Sequence, residues 1–343
     1  MPSYSRSATA LWFVQSALAA LIPWEEWDHQ LVALEDSSIL FHYAGSGPPL
    51  LLVHGFPEHS IMWDRIGPIL AQNYTVIAVD NRGCGDSSLA ISGNYTASAA
   101  SEDLYGVLKF LNITEAYVVG HDKGVGIVTA LAANHRSLVK RLSIIEYALH
   151  GYDIYEAAAT PSHSWTLRSN WQLAFFSLPD VAEYFIRDRE KRMLSWYFYH
   201  ASYTGNSAIT EDRLNKYATA ISKPGFLRAG FEYFAAQYQD AEFFTSRLGA
   251  NPLTIPMLVM GGEASFGDIA LLKQGMGIAG TNVIYDVVPK AGHWICDENS
   301  IWVANRLGEF FQAGEVIPAV DLGYLKNVVT VPQQLAMGLT LGG

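Results

Sequence analysis

A carboxylate stands between two glycines at the end of an apolar segment of this chain. The stretch VVGHDKGVG, residues 118–126, contains Gly120-His121-Asp122-Lys123-Gly124. Glycines flank a central residue in this way where a strand turns sharply into a helix and presents a reactive side chain. An Asp beside a helix start can also be a simple helix cap. Because free Asp has a pKa of about 3.9, Asp122 is expected to be charged at neutral pH and to need no base to act as a nucleophile.

Two other loops carry groups that a nucleophilic carboxylate would use. His54-Gly55-Phe56-Pro57 follows an apolar segment, and Pro57 has no N–H. The backbone amides of Phe56 and Lys123 are therefore the predicted oxyanion-hole donors. His293 lies in Ala291-Gly292-His293-Trp294 after the last predicted strand, and we predict that it is the general base.

The carboxylate that would orient this histidine has two candidate places in the chain. In the segment Gly262–Phe266, which precedes the histidine, Ser265 occupies the position where many proteins of this organisation carry the acid. Glu146 ends another apolar segment, 24 residues after the aspartate, and a carboxylate there would hold the histidine in one tautomer. We therefore predict Glu146 as the third member, with Glu263 and Asp268 as alternatives.

Short apolar segments alternate with helical ones, which predicts an α/β fold. Segments that are apolar throughout are typical of a parallel sheet covered by helices on both faces. Residues 97–111 and 126–135 are predicted helices between such strands. The predicted strands are Leu50–His54, Thr75–Asp80, Ala116–Gly120, Leu142–Glu146, Ile255–Met260 and Val283–Val288.

The alternation stops between residues 149 and 250, which are helical in pattern and rich in aromatic residues. We interpret this stretch as a helical cap inserted into the α/β core, with an apolar pocket beneath it. The predicted organisation is an N-terminal apolar segment at 1–30, the core at 31–148 and 251–313, the cap at 149–250, and a tail at 314–343 with no assigned role.

The composition excludes several classes of function. Half of the 343 residues are apolar and 16% are charged, which is enough for a large core. The net charge of −11 argues against nucleic acid or an anionic membrane surface as the main partner. Cys84 and Cys296 have no metal-ligand spacing, and we predict neither metal nor cofactor. Residues 8–22 fit a packed helix or a secretory signal or anchor, so localisation stays open, without strong evidence for stable membrane insertion.

Taken together, the motifs resemble the epoxide hydrolase and haloacid or haloalkane dehalogenase branch of the α/β-hydrolases. The resemblance covers residues 35–150 and 250–312 well and the cap loosely. It implies an α/β-hydrolase fold with a mostly parallel sheet and an inserted helical cap. It also implies a triad of Asp122, His293 and Glu146, in which the aspartate forms an alkyl ester that water then hydrolyses. The motifs are GSGPP, HGFPEHSIMW, VDNRGCGDSS, VVGHDKG and AGHW.

The resemblance also places the groups that assist the leaving atom in the cap. Opening an epoxide requires a proton, which this branch takes from cap tyrosines. Tyr233 matches the second of these tyrosines, whereas Trp171 stands where the first is expected. Gln172, Tyr152 or Tyr155 would then compensate for the missing tyrosine.

Fluoroacetate dehalogenases hold the substrate carboxylate with two arginines and the halide with a His-Trp pair. Lys123 and Gly126 replace the arginines, and Gln172 and Leu173 replace the pair. The sequence therefore favours an epoxide hydrolase that converts a lipophilic epoxide, such as an intermediate of secondary or polyketide metabolism, to a diol. A dehalogenase with the same ester mechanism, and a non-hydrolytic epoxide cyclase or ligand-binding protein, are the alternatives. The expected partners are a small lipophilic molecule and water.

Overall fold

A mostly parallel sheet of eight strands forms the centre of the molecule. The computed structural model describes residues 21–152, 171–205, 208–276 and 279–328. The strand order is β1-β2-β4-β3-β5-β6-β7-β8, in which β1, β2 and β4 pair antiparallel and the remaining neighbours pair parallel. The strands are β1 (Asp28–Ala33), β2 (Ser38–Ala44), β3 (Pro49–Val53), β4 (Thr75–Val79), β5 (Ala116–His121), β6 (Val139–Ile145), β7 (Met257–Gly262) and β8 (Val283–Val288).

Helices cover both faces of this sheet. All five residues of β3 are buried, and Leu51 packs into the core on one face while Leu50 packs into the core on the other. The helices of the core are α1 (Gly67–Leu70), α2 (Ala97–Phe110), α3 (Lys123–Asn134), α10 (Ile269–Met276), α11 (Ile295–Glu298) and α12 (Ser300–Gln312). Side chains of α2 and α3 pack on the first face, and those of α1 and α12 pack on the second.

Six further helices of the described residues, which we call the cap, lie in the chain between β6 and β7. Their apolar residues form a third hydrophobic cluster that also contains Phe56 and Trp294 of the core. The cap helices are α4 (Trp171–Phe176), α5 (Pro179–Ile186), α6 (Glu190–His200), α7 (Glu211–Ile221), α8 (Phe226–Ala235) and α9 (Gln237–Leu248). Tyr155 lies outside the described residues.

All six predicted strands are confirmed to within a few residues, but β1 and β2 were not predicted. These two strands lie towards one side of the sheet, where buried and less buried residues alternate, so they lack the continuous apolar signal of the central strands. Because β1 begins at Asp28, the folded core starts before residue 31. Residues 314–328, predicted as a tail without a role, return to the core, where Leu322 and Leu325 are buried and Val320 pairs with Gly47.

Two features of the described residues bear on the classes considered above. None of the helices in these ranges combines the length and the hydropathy needed to cross a bilayer. Within the same ranges, no three His, Cys, Asp or Glu side chains are grouped so that they could hold a metal ion.

Candidate active site

The turn between β5 and α3 raises Asp122 above the sheet. Asp122 has φ 47° and ψ −126°, a backbone conformation that is costly for a residue other than glycine. The neighbouring glycines make this turn sterically feasible. A Cβ on Gly124 would lie 2.5 Å from the carbonyl oxygens of Val53 and His54, and a Cβ on Gly120 would lie 2.8 Å from the Gly124 oxygen. The turn therefore requires glycine on both sides of the carboxylate.

The two oxygens of the Asp122 carboxylate have different surroundings. Oδ1 accepts a hydrogen bond of 2.8 Å from the backbone amide of Phe56, one of the two predicted oxyanion-hole donors. The other predicted donor, the amide of Lys123, belongs to the first residue of α3, where helix N–H groups lack intrahelical acceptors. Oδ2 faces His293 instead, at 3.5 Å from Nε2. One oxygen is thus held by the backbone, while the other faces the histidine.

His293 lies between two carboxyl groups. Its Nδ1 is 3.0 Å from Glu146 Oε2, and its Nε2 is 3.5 Å from Asp122 Oδ2. The backbone amide of His293 donates to the Ala201 oxygen of the cap at 2.7 Å. The structure therefore brings together the three residues that the sequence proposed as a triad. The 3.5 Å distance is that of an ion pair rather than of a short hydrogen bond.

Glu146 is held by four donors, the histidine among them. It follows β6 with φ 58° and is 1% exposed. Its Oε1 accepts from the amides of Gly262 and Phe266, at 2.5 and 3.2 Å, and the Ser265 hydroxyl donates to Oε2 at 2.6 Å. The serine at the alternative acid position thus supports the glutamate.

The two alternative acids lie elsewhere. Both Glu263 and Asp268 are exposed. Glu263 accepts from the backbone amide of Lys290, and Asp268 accepts from that of Ala270. Neither is among the carboxyl groups that contact the histidine in the described part of the chain.

The charges at this centre stabilise each other. Burial by itself lowers the pKa of His293, but hydrogen bonds and charges from Asp122 and Glu146 outweigh burial and raise the pKa to about 10. Burial raises the pKa of Asp122, yet His293, with smaller contributions from His121 and Lys123, lowers the pKa to about 2. At neutral pH the resting site therefore holds an imidazolium beside an ionised Asp122.

The predicted cap donor Tyr233 is directed away from the role expected of it. Its hydroxyl donates to the backbone oxygen of Arg82 at 2.9 Å, and its ring packs 5.3 Å from the ring of Tyr95. The next residue, Phe234, approaches the centre instead, with its ring centroid 4.0 Å from Lys123 Nζ. The register of α8 therefore places the Phe234 ring against Lys123, whereas Tyr233 lines the cavity under the cap with its hydroxyl bonded to Arg82.

Trp171 and Gln172, two of the other predicted cap residues, lie in α4, and Tyr152 lies earlier in the chain. Trp171 packs against the rings of Phe175 and Trp196, at 5.6 and 5.3 Å. Gln172 is buried. Tyr152 donates to a backbone oxygen of α9 at 3.3 Å. Trp171 and Tyr152 thus contact cap residues in the described part of the chain.

A second polar group beside Asp122 was not predicted. The Lys123 side chain is buried, and its Nζ donates to Tyr147 Oη at 3.1 Å. Tyr147 Oη is in turn 2.6 Å from His150 Nε2. In the sequence, Tyr147 directly follows Glu146. This adjacency does not indicate that the Tyr147 side chain points towards Lys123.

A cavity lies under the cap, and it is lined by two neighbours of the carboxylate, Phe56 and Lys123. It lies between the loops at residues 54–59 and 81–85 and helices α7 and α8. Lys123 and Phe56 line it on the core side, and Phe226 and Ile221 line it on the cap side. A ligand in this space would be surrounded mostly by apolar side chains, with Lys123 on the core side and Tyr233 on the cap side.

The chain is similar to a known family and to several known proteins. Residues 48–300 match the family model described as alpha/beta hydrolase fold. The soluble epoxide hydrolase of Corynebacterium sp. strain C12 is 30% identical over 280 residues, which cover 79% of this chain and 93% of the relative. The fluoroacetate dehalogenase of a Burkholderia species is 28% identical over 70% of this chain and 79% of the relative. The solved structure of the epoxide hydrolase CorEH without ligand has a TM-score of 0.75, with 27% identity and coverage of 84% and 99%.

Proposed function

Since this chain belongs to the alpha/beta hydrolase fold family, in its epoxide hydrolase and dehalogenase branch, and is a hydrolase, we propose that it opens a lipophilic epoxide to a diol. The observation that carries the proposal is the position of His293 between Asp122 and Glu146, with one Asp122 oxygen held by the Phe56 amide. An aspartate in this setting acts on saturated carbon. A serine that attacked the same carbon would form a stable ether and stop the enzyme.

In the first step, Asp122 Oδ2 attacks an epoxide carbon, a C–O bond of the ring breaks, and an alkyl ester forms. Oδ1 stays with the Phe56 amide and becomes the ester carbonyl oxygen. The same amide is then in place when water attacks this carbonyl and negative charge develops on the oxygen. The contact seen in the resting site thus supports a role in the second step.

The second step requires His293 to be neutral, although its pKa in the resting site is about 10. Ester formation removes the negative charge of Asp122, which is one of the two carboxyl groups that raise this pKa. The pKa of His293 therefore falls once the ester has formed, and the histidine becomes a base for the attacking water. Glu146 keeps the ring oriented through Nδ1 during this change.

The apolar surroundings favour a lipophilic substrate. Phe56, which also supplies the backbone amide, has its ring 5.4 Å from Phe176, 5.8 Å from Phe231 and 5.1 Å from Phe234. These rings are nearly inaccessible to water. An aromatic or long-chain epoxide would gain from burial against such surfaces, at about 25 cal/mol per Å² of apolar area.

A single turnover in ¹⁸O-labelled water tests this proposal. With an aromatic epoxide, we expect mass mapping to find one ¹⁸O in the Asp122 peptide and none in the first equivalent of diol. The peptide that contains Asp103 is the internal control. In His293→Gln the substrate should remain attached to Asp122, because the base is missing. Label in the diol with an unlabelled Asp122 would rule out the ester route and favour direct hydration or a cyclase-like reaction.

A dehalogenase is the second candidate, and two observations favour it. The Burkholderia relative is a fluoroacetate dehalogenase, and the buried Lys123 ammonium beside Asp122 could hold a halide or a carboxylate. The residue at the second arginine position is Gly126, which carries no side chain to share such an anion. Halide release from fluoroacetate or chloroacetate, without turnover of any epoxide, would make the dehalogenase the better description.

A further inference from the structure

We propose that the ammonium group of Lys123, rather than a cap tyrosine, donates the proton to the leaving oxygen when Asp122 opens the epoxide. Tyr147 and His150 would act as positioning residues for this lysine. The inference rests on the proposed function, because only an epoxide, and not a halide, needs a proton as it leaves.

The position of the lysine side chain carries the first part of the inference. Lys123 directly follows the nucleophile, lines the cavity under the cap and is 6% exposed. Its Nζ is fixed by Tyr147 Oη at 3.1 Å and by the face of the Phe234 ring at 4.0 Å. A lysine held in this way has given up most of its side-chain freedom and most of its hydration. Such an arrangement is costly, and it holds an acidic N–H group where the charge of Asp122 acts on it.

The direction of the hydrogen bonds carries the second part. An ammonium group only donates, so Tyr147 Oη must accept from Lys123. Tyr147 can then donate its own proton to His150 Nε2 at 2.6 Å in the tautomer that carries the ring proton on Nδ1. Burial and then the charge of Lys123 lower the pKa of His150 well below 6.5, in agreement with a neutral ring. Hydrogen bonds thus connect Lys123 through Tyr147 to His150, and all three side chains are buried.

The third part of the inference concerns the cap residues that could supply the proton. Phe234 packs over the ammonium but has no proton to give. The hydroxyl of Tyr233 donates to the Arg82 oxygen instead. Lys123 and Tyr233 both line the cavity, but the one hydroxyl proton of Tyr233 is donated to Arg82, whereas an ammonium group has three N–H donors.

The proton balance of the cycle closes without another reactant. Asp122 Oδ2 forms a bond to carbon, the ring C–O bond breaks, and the alkoxide takes a proton from Lys123, which becomes a neutral amine. Because ester formation removes the charge of Asp122, the His293 imidazolium releases its proton to solvent. Neutral His293 then takes a proton from the water that attacks the ester carbonyl, and this proton passes to the departing alcohol oxygen; His293 takes up a proton from solvent again when the Asp122 carboxylate re-forms. The carboxylic acid that hydrolysis produces ionises to the Asp122 carboxylate, and the proton that it releases restores the ammonium. The net reaction is epoxide plus water to diol.

Four described titratable groups face this lysine, and they predict a pH profile. Burial lowers the pKa of Lys123 below the usual 10.5, and the charges of Asp122 and Asp240 oppose that shift. The remaining two groups are Tyr147 and His150. Because the lysine must be protonated to act, the rate of ester formation should fall as pH rises, with a midpoint below 10.5.

Rapid-quench measurement of the ester on Asp122 tests the proposal with an aromatic epoxide. We expect Lys123→Met to slow ester formation on the order of 10²-fold or more, the scale of general acid catalysis, and to leave ester hydrolysis unchanged. Lys123→Arg keeps a cation that does not release its proton, so the slow step should persist and the high-pH fall should disappear. Tyr147→Phe should move the midpoint of that fall, which a purely structural role would not do. Lys140→Met, at a surface ion pair with Glu115, is the matched control and should behave like wild type.

Several outcomes would overturn the inference. Wild-type ester formation in both Lys123 variants, with ¹⁸O still entering Asp122, would reject the lysine while the proposed function stands. A large loss in Tyr233→Phe alone would restore the cap tyrosine as the donor. Absence of ¹⁸O from Asp122 in the wild-type protein would reject the proposed function itself. If Lys123→Met does not fold, the arginine and Tyr147 variants decide the question.

Discussion

The charge of His293 depends on Asp122, which lies 3.5 Å away. The pKa of the histidine is raised from 6.5 to about 10, so its contribution to stability is complete below about pH 6.5 and is lost as pH rises through about 10. The pKa of Asp122 is lowered from 3.8 to about 2, so its contribution is present above about pH 3.8 and is lost as pH falls through about 2.

Asp122→Asn should therefore lower the pKa of His293 by at least about 1 unit, because one of its two carboxyl partners loses its charge. Nuclear magnetic resonance titration of the imidazole gives this value directly. The free energy of unfolding of the variant should also depend less on pH between 7 and 10 than that of the wild-type protein. A pKa that stays near 10 in the variant would mean that Glu146 alone sets the charge of the histidine.

Glu146 offers a second test on single residues. Glu146→Gln puts an amide NH₂ in place of an oxygen that accepts from backbone amides or from His293, so the histidine loses its orientation. We expect kcat to fall on the order of 10³- to 10⁴-fold, as in other triads that lose their acid. Glu263→Gln, on the surface, should retain wild-type kcat within experimental error. A larger loss of kcat in Glu263→Gln than in Glu146→Gln would show that Glu263, and not Glu146, is the acid that orients the histidine.

At the scale of elements, the turn from β5 into α3 determines where the nucleophile stands. Gly124 and Gly126 occupy the same helix but have different surroundings. A Cβ on Gly124 would meet backbone oxygens at 2.5 Å, whereas a Cβ on Gly126 would meet the Ala97 methyl at 3.4 Å and the Phe244 ring at 3.9 Å, which are ordinary contact distances. Gly124→Ala should cost about 2 kcal/mol or more in the free energy of unfolding and should abolish activity. Gly126→Ala should be neutral or stabilising by up to about 1 kcal/mol. Urea unfolding measures both, and equal losses would contradict this account.

The same elements show what the sequence could and could not predict. The strands, the turn at Asp122 and the loop at His293 follow from local patterns, because a buried strand and a glycine-flanked turn are each encoded within a few residues. Glu146 was proposed for the same reason, since it directly follows a strand. The contacts of the cap were not predictable in this way. A shift of one residue along α8 exchanges Tyr233 for Phe234 at the centre, and only the packing of the helix decides between them.

At the scale of the whole molecule, polar contacts join the cap to both parts of the core. Tyr217 of the cap donates to the buried Glu58 at 3.1 Å. The indole of Trp294 donates to the Phe198 oxygen of the cap at 3.0 Å. The backbone amide of His293 also donates to the cap. The position of the candidate base therefore depends on the docking of the cap, although the two are distant in sequence.

Arg213 connects the cap to both parts of the core through ion pairs. It lies in α7 of the cap, is 5% exposed and forms ion pairs with Asp64 from the first part of the core and Asp297 from the second. It also donates to the Ile61 oxygen at 3.0 Å. One guanidinium thus joins three parts of the chain, and its removal leaves the buried Asp297 without this cation.

Arg213→Met should destabilise the protein by about 3 kcal/mol, the lower end of the range for a broken buried ion pair, because Asp297 keeps Arg65 at 3.7 Å as a second cation. Arg213→Lys should lose less, since it keeps the charge but not the two-sided geometry of the guanidinium. Glu211 lies on the same helix as Arg213 and forms an exposed ion pair with Lys191. Glu211→Gln should therefore change stability by less than about 1 kcal/mol. Urea unfolding followed by tryptophan fluorescence gives these values. A loss in Arg213→Met no larger than that in Glu211→Gln would mean that the apolar cluster around Phe56, and not this arginine, holds the cap on the core.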